Sequence, residues 1–181
     1  MMEPMHGTTI LAVHKDGETA IAGDGQVTFG DTVMKQGAVK VRKLEDDVLV
    51  GFAGAVADAL TLLEKFEEQL EIAKGSLKRA AVETVKLWRT DRILRQLEAM
   101  LIVADAREIL LLSGTGEVIA PDEPLVAVGS GAPYALSAAK ALYRETRLGA
   151  AEIAEKALGI AAEIDLYTNG NTTVLRVGGG A

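Results

Sequence analysis

The chain has 181 residues, of which 49% are apolar and 25% charged, and a net charge of −7 at pH 7. That composition excludes a disordered chain and is enough for one buried core, while the acidic balance excludes nucleic acid as a bulk partner because phosphate neutralisation needs a basic face. Cysteine is absent, which excludes disulfides, thiolate metal sites and a cysteine nucleophile.

In chain order, residues 1–7 (MMEPMHG) carry neither the basic stretch nor the apolar run of a secretory signal. No run of about 18 apolar residues follows, so no membrane span is predicted and the cytoplasm is the expected compartment. Thr8–Val13 reads as a short strand. Lys15-Asp16-Gly17 is a turn of the Asp-Gly type, and Thr19–Ala22 returns as a second strand. Gly23-Asp24-Gly25 closes it sharply. Residues 26–39 read as loop, with a short strand near Thr32–Met34. Lys40–Leu44 and Val48–Ala53 pair around Glu45-Asp46-Asp47.

Gly54 then opens a helix on which Ala55, Ala59, Leu62, Leu63, Phe66 and Leu70 recur at helical spacing. Gly75 breaks it. Ser76 is an N-cap candidate for a second helix running to about Leu97, with Ala81, Val85 and Trp88 inward and Arg89, Arg92 and Arg95 on a solvated face. Met100–Ala104 and Ile109–Ser113 form a hairpin, Gly114-Thr115-Gly116 turns into Glu117–Ile119, and Leu125–Val128 is a buried strand ending in Gly129-Ser130-Gly131. Pro133 starts a third helix to about Tyr143, and Gly149 precedes a fourth over Ala150–Ile164. Thr172–Val177 is a final strand before a loose Gly178–Ala181 tail. Strands and helices are grouped rather than alternating, which disfavours a parallel doubly wound sheet. The fold class is α+β, with two antiparallel sheets face to face and helix pairs outside: a four-layer α-β-β-α sandwich.

The chemistry starts at Thr8. A threonine hydroxyl is a weak nucleophile, but removal of residues 1–7 gives Thr8 a free α-amine of unperturbed pKa near 8, able to act as its own general base. Gly7 suits such a scission, because glycine permits the strained backbone that attack of the Thr8 hydroxyl on its carbonyl requires. By itself Gly-Thr-Thr reads more simply as a frayed terminus before a strand. Lys40 and Asp24 add to it. An ammonium beside the Thr8 amine disfavours its protonation and stabilises charge growing on the hydroxyl, and a carboxylate between glycines can hold that lysine charged and oriented. His6 and His14 lack partners at metal-ligand spacing and read as surface residues. The Gly129–Gly131 loop lacks the lysine and Ser/Thr of a phosphate-binding loop, so no nucleotide is expected on this chain.

Several motifs in order carry a resemblance over Thr8 to about Asn169. They are Thr8-Thr9-Ile10, Ile21-Ala22-Gly23-Asp24-Gly25-Gln26, Thr32-Val33-Met34-Lys35, Gly51-Phe52-Ala53-Gly54, Trp88-Arg89-Thr90-Asp91-Arg92, Gly129-Ser130-Gly131 and Tyr167-Thr168-Asn169. With them the chain resembles the HslV (ClpQ) family of bacterial threonine peptidases, itself similar to proteasome β subunits. The resemblance implies the N-terminal nucleophile hydrolase fold, with residues 1–7 a pro-segment removed by self-cleavage and 8–181 one peptidase domain. It implies Thr8 as nucleophile and base, Lys40 tuning its amine, Asp24 orienting Lys40, the Gly51 N–H donating to the oxyanion, and Ser130 bonding near the Thr8 amine. It also implies a sodium ion on backbone oxygens of Ala162, Asp165 and Thr168, where Asp165 replaces an expected small uncharged residue. Twelve copies in two stacked six-membered rings and a hexameric HslU-type ATPase are the implied partners, with unfolded proteins as substrate. Two other readings stay open: an amidase of the same fold acting on small molecules, and a catalytically silent ring subunit.

Overall fold

The computed structural model describes residues 5–6, 8–96 and 99–180. Gly7, with its expected role ahead of the scissile bond, and Leu97, the predicted end of the second helix, lie outside the described residues. Twelve strands and four α-helices follow in order among the described residues. They are β1 (Met5–His6), β2 (Thr9–Lys15), β3 (Glu18–Gly23), β4 (Val27–Phe29), β5 (Thr32–Lys35), β6 (Val41–Lys43), β7 (Leu49–Gly54), α1 (Val56–Ile72), α2 (Leu77–Thr90), β8 (Ala99–Ala104), β9 (Ile109–Ser113), β10 (Val118–Ile119), β11 (Leu125–Gly129), α3 (Ala132–Glu145), α4 (Ala150–Ala162) and β12 (Thr173–Gly178). None of these helices is long and apolar enough to cross a membrane.

The strands form a four-stranded sheet in the order β11-β2-β3-β12, a five-stranded sheet β10-β9-β8-β7-β6 and a small sheet β1-β4-β5. The recorded strand pairings are antiparallel. The period-2 alternation of strand side chains explains how the two large sheets are buried on both faces. On β2, Ile10 and Ala12 face the other sheet, together with Ile21, Leu49, Ile102 and Val128. Leu11 and Val13 face the opposite way, onto Ile153, Ala157 and Leu158 of α4. On β7 and β8, Val50, Phe52, Leu101 and Val103 meet Leu62, Phe66 and Trp88 of α1 and α2. Three apolar layers therefore separate four structural layers, the α-β-β-α sandwich expected from the grouping of elements. Each fully buried leucine or isoleucine here contributes about 1.5–3 kcal/mol of transfer free energy.

Several local expectations shift. Residues 27–35 form the β4–β5 hairpin instead of loop with one strand. The second helix stops at Thr90 because Asp91 is extended and its carboxylate accepts the Ile93 and Leu94 N–H groups at 2.8 and 3.0 Å, replacing helical bonds. Ser76 stands at the N-cap of α2, but its side chain makes no capping bond. His14 is half-buried and not a surface residue: its Nδ1 lies 2.8 Å from the Thr19 hydroxyl. Gly178 ends a strand, and the Gly179 N–H donates to Gly17 O at 3.0 Å, so the tail is anchored at its start.

Candidate active site

The site forms where β2 begins and β3 ends. Register sets Ile10 opposite Gly23, and the ladder continues one step further as Asp24 N–H donates to Thr9 O at 3.2 Å. The Asp24 carboxylate then folds back on the same strand: Oδ1 accepts Thr9 N–H at 2.8 Å, and Oδ2 accepts Gln26 N–H at 2.9 Å and Asn169 N–H at 3.3 Å. Its remaining partner is the Lys40 ammonium, 2.9 Å from Oδ1. Asp24 is fully buried and Lys40 is 4% exposed. A carboxylate with four donors is stable in such a place; one without them is not. Lys40 precedes β6, is fixed there by Phe52 N–H donating to its carbonyl, and donates a second bond from Nζ to Gln26 O.

Thr8 and Lys40 line one cavity of about 130 Å³, walled by Val27, Phe52, Gly54 and Val56. Thr8 itself is held from the other sheet edge. Ser130 N–H donates to Thr8 O at 3.1 Å, and a Cβ on Gly129 (φ +102°) would stand 1.7 Å from that oxygen, so only glycine allows the approach. The Ser130 hydroxyl donates to Asp165 Oδ2 at 2.7 Å, and the Thr168 hydroxyl donates to the same oxygen at 2.5 Å. With its one proton engaged there, Thr168 accepts from the Thr9 hydroxyl at 2.7 Å, and Thr9 in turn accepts Gly131 N–H at 2.9 Å. The structure thus brings Thr8, Asp24, Lys40 and Ser130 together. Thr9, Gln26 and Asn169 complete the frame; all three lay inside quoted motifs, yet nothing in their residue type signalled a contact with Asp24.

Gly51 is the exception. It lies mid-strand in β7, paired with Val41 on one side and Ile102 on the other. Because Phe52 N–H points to β6, its neighbour Gly51 points its N–H to β8, where the sheet ladder engages it. A Cβ at Gly51 would sit 2.6 Å from Ile10 Cγ2 and 2.8 Å from Ile21 Cδ1. This glycine serves the contact between the sheets and is not an oxyanion donor. The same parity turns Gly54, two residues after Phe52, toward the β6 side, and Gly54 lines the Thr8 cavity. Both glycines stand in Gly51-Phe52-Ala53-Gly54, and only the register tells them apart. Gly51→Ala is expected to cost about 1–3 kcal/mol through overpacking, lowering the melting temperature by several degrees. An unchanged melting temperature contradicts the packing role.

Burial holds the Lys40 ammonium below the usual lysine value, with the Asp24 charge and hydrogen bond opposing that shift. If Thr8 with a free amine is the nucleophile, as the resemblance implies, activity needs that amine neutral and Lys40 charged. The expected pH profile is a bell. Its acid limb lies below the amine's unperturbed value of about 8, because the ammonium disfavours a second positive charge. Its alkaline limb lies below the 10.5 of an ordinary lysine, because Lys40 loses its proton earlier. The stability linkage has the matching sign. The folded chain releases this proton before the unfolded one, so the contribution of Lys40 to stability rises as pH climbs from its lowered value to 10.5. A rate still climbing above pH 10.5 contradicts the assignment.

Ala162 closes α4, and Asp165 and Thr168 lie in the turn beyond it. Asp165 N–H donates to Ala161 O at 2.8 Å and Thr168 N–H to Asp165 O at 3.2 Å. Ala162, Asp165 and Thr168 therefore lie at the C-terminal end of α4, where in-helix donors run out and negative partial charge accumulates on main-chain carbonyls, the kind of donor a monovalent cation takes. Among the described residues no three His, Asp or Glu side chains cluster to hold a metal ion. The Asp165 carboxylate, partly exposed, accepts from Ser130 and Thr168.

The family model described as proteasome subunit matches residues 5–177. The ATP-dependent protease subunit HslV of Pseudothermotoga lettingae is 58% identical over 92% of this chain and 96% of its own length. The subunit of the same name from Syntrophobacter fumaroxidans is 60% identical over 91% and 93%. The crystal structure of eukaryotic HslV from Trypanosoma brucei superposes with a TM-score of 0.89 at 46% identity, covering 94% of this chain and 99% of that one. Thiobacillus denitrificans BPH, in a structure with epoxomicin, matches with a TM-score of 0.77 at 24% identity over 96% and 100%, a likeness of fold.

Proposed function

The chain belongs to the proteasome-subunit family and is 58–60% identical to HslV proteins, and we propose that it is the self-processing threonine endopeptidase core of an ATP-dependent protease. The observation that carries this reading is the buried Lys40–Asp24 pair opening on the cavity that holds Thr8. In processing, the Thr8 hydroxyl attacks the Gly7 carbonyl carbon, the peptide C–N bond breaks, and an ester forms. Water hydrolyses that ester, releasing residues 1–7 and leaving Thr8 with a free amine. In turnover, the amine takes the hydroxyl proton as Oγ1 attacks a substrate carbonyl. The negative oxygen of the tetrahedral intermediate accepts from Gly54 N–H, and Lys40 lowers the energy of the developing charge. Collapse expels the downstream amine with the shuttled proton. Water then enters and hydrolyses the acyl ester.

Ser130, bonded to the Thr8 carbonyl and to Asp165, positions Thr8 within this scheme. Sodium is the cation that fits the Ala162, Asp165 and Thr168 carbonyls, and when bound it supplies positive charge that fixes the turn carrying Asp165 and Thr168. The expected result is a higher melting temperature in sodium chloride than in tetramethylammonium chloride at equal ionic strength; equal values contradict a site. The working assembly is a double ring of twelve copies in the cytoplasm, with an HslU-type hexameric ATPase feeding unfolded protein. The small-amide and silent-scaffold readings are not favoured, since the relatives from Pseudothermotoga lettingae and Syntrophobacter fumaroxidans are named as protease subunits. The test is degradation of an unfolded protein by the purified chain mixed with an HslU-type ATPase. Dependence on both the ATPase and ATP supports the reading; hydrolysis of small amides only, by a monomer or dimer, overturns it.

A further inference from the structure

We propose that Asn169 is a positioning residue for the peptidase chemistry: its carboxamide ties the segment that ends in Lys40 to the loop that carries Asp24, and so fixes the ammonium in front of Thr8. This rests on the peptidase reading above and deepens it. The residues that lead into Lys40 have little packing to hold them. Positions 31–37 and Val39 are exposed, and Ala38 is half-buried. Yet Lys40 is 4% exposed and its ammonium lies 2.9 Å from Asp24 Oδ1. Apolar contact along 31–39 does not set that approach, so polar contacts set it.

Three stretches of main chain meet there: 24–26 after β3, 36–38 before Lys40 and 169–171 before β12. Ala38 N–H donates to Gly25 O at 2.9 Å. The Asn169 carboxamide spans all three stretches. Its Oδ1 accepts Gly25 N–H at 3.0 Å and Asn171 N–H at 3.1 Å, and its Nδ2 donates to Gln36 O at 2.9 Å. Two N–H groups on one side and a carbonyl on the other admit one orientation of the amide. Asn171 Nδ2 gives Gln36 O a second donor at 2.9 Å, but Asn171 is itself held by Asn169. The approach is close: a Cβ on Gly25 would stand 2.3 Å from Gln36 O, so this junction needs glycine. Asn169 also donates its own N–H to Asp24 Oδ2 at 3.3 Å. One residue thus touches the acid of the buried pair directly, and reaches the lysine through the short run from Gln36. That run passes along the Thr8 cavity, which Ala38 and Val39 line.

Asn169→Asp separates this clamp from a merely local turn. The carboxylate keeps an acceptor for Gly25 and Asn171, but it loses the donor and sets an oxygen against Gln36 O. If Asn169 only shapes its own turn, the variant behaves as wild type. The expected result is that Ala38 N–H exchanges with solvent at least about tenfold faster, while Ile102 N–H in the core of β8 exchanges as before. That readout needs no catalysis, so it decides the clamp whether or not the chain proves a peptidase. In peptide hydrolysis kcat is expected to fall about tenfold or more with KM changed by less than about threefold, because Lys40 acts on the chemical step. Asn169→Ala, which loses donor and acceptor together, should lose at least as much. Unchanged exchange at Ala38, wild-type kcat from both variants, or an effect confined to KM overturns the positioning role. A wild-type chain that hydrolyses no peptide overturns the peptidase reading instead, and leaves the exchange at Ala38 to judge the clamp.

Discussion

Thr8→Ala is expected to leave a folded chain that keeps residues 1–7 and has lost peptidase activity by a factor of about 10⁴ or more. In the proposed mechanism Thr8 contributes the attacking oxygen and, after scission, the base, so one substitution would remove both and also prevent the scission. Its folding role is small. Its carbonyl is held through the main chain by Ser130 N–H, a bond that the substitution keeps, and the residue is only half-buried. Stability should change by less than about 0.5 kcal/mol. Intact mass shows the leader, and the fluorescence of Trp88, the one tryptophan and fully buried, shows the fold. Thr8→Ser keeps a hydroxyl and an amine and should still process itself. A mature mass with normal peptide turnover from Thr8→Ala contradicts the mechanism at its centre.

Lys40→Ala separates catalysis from folding. It removes the ammonium that faces the Thr8 cavity, and activity should fall by about 10²–10³-fold or more, the scale of losing a preorganised electrostatic partner. It also leaves Asp24 buried without its cation. Removing one partner of a buried pair costs about 3–5 kcal/mol. The lower end applies here, because Asp24 keeps the N–H groups of Thr9, Gln26 and Asn169. A domain of ordinary stability tolerates that loss and stays folded. The prediction is therefore a lower melting temperature, a cooperative unfolding transition and a nearly silent enzyme. Wild-type turnover from this variant rejects the role of Lys40; failure to fold calls for Lys40→Met, which fills the same space without the charge.

The sequence carried the layer order well, because grouped strands, Asp-Gly turns and helical spacing are local signals. It also carried Thr8, Asp24 and Lys40 as neighbours, because a threonine near the start and a carboxylate between glycines have few other uses together. It did not separate Gly51 from Gly54. Both are glycines of one strand, and what distinguishes them is which neighbouring strand each N–H faces. The 27–35 hairpin was missed for a related reason: its strands are three and four residues long and its exposed side chains show no alternation. Asp165 looked like an anomaly of a cation site. In three dimensions its carboxylate is the acceptor for Ser130 and Thr168, residues 35 and three positions away in the chain.

What the sequence determined by itself was the kind of chemistry and the pattern of layers, since nucleophile type, residue spacing and apolar periodicity act over a few residues. What only the tertiary structure decided was partnership: four donors converging on Asp24, Gly54 rather than Gly51 lining the Thr8 cavity, and β1 paired with β4. Those depend on strand register, and register is fixed by long-range packing of two sheets against each other, which short-range sequence patterns do not contain.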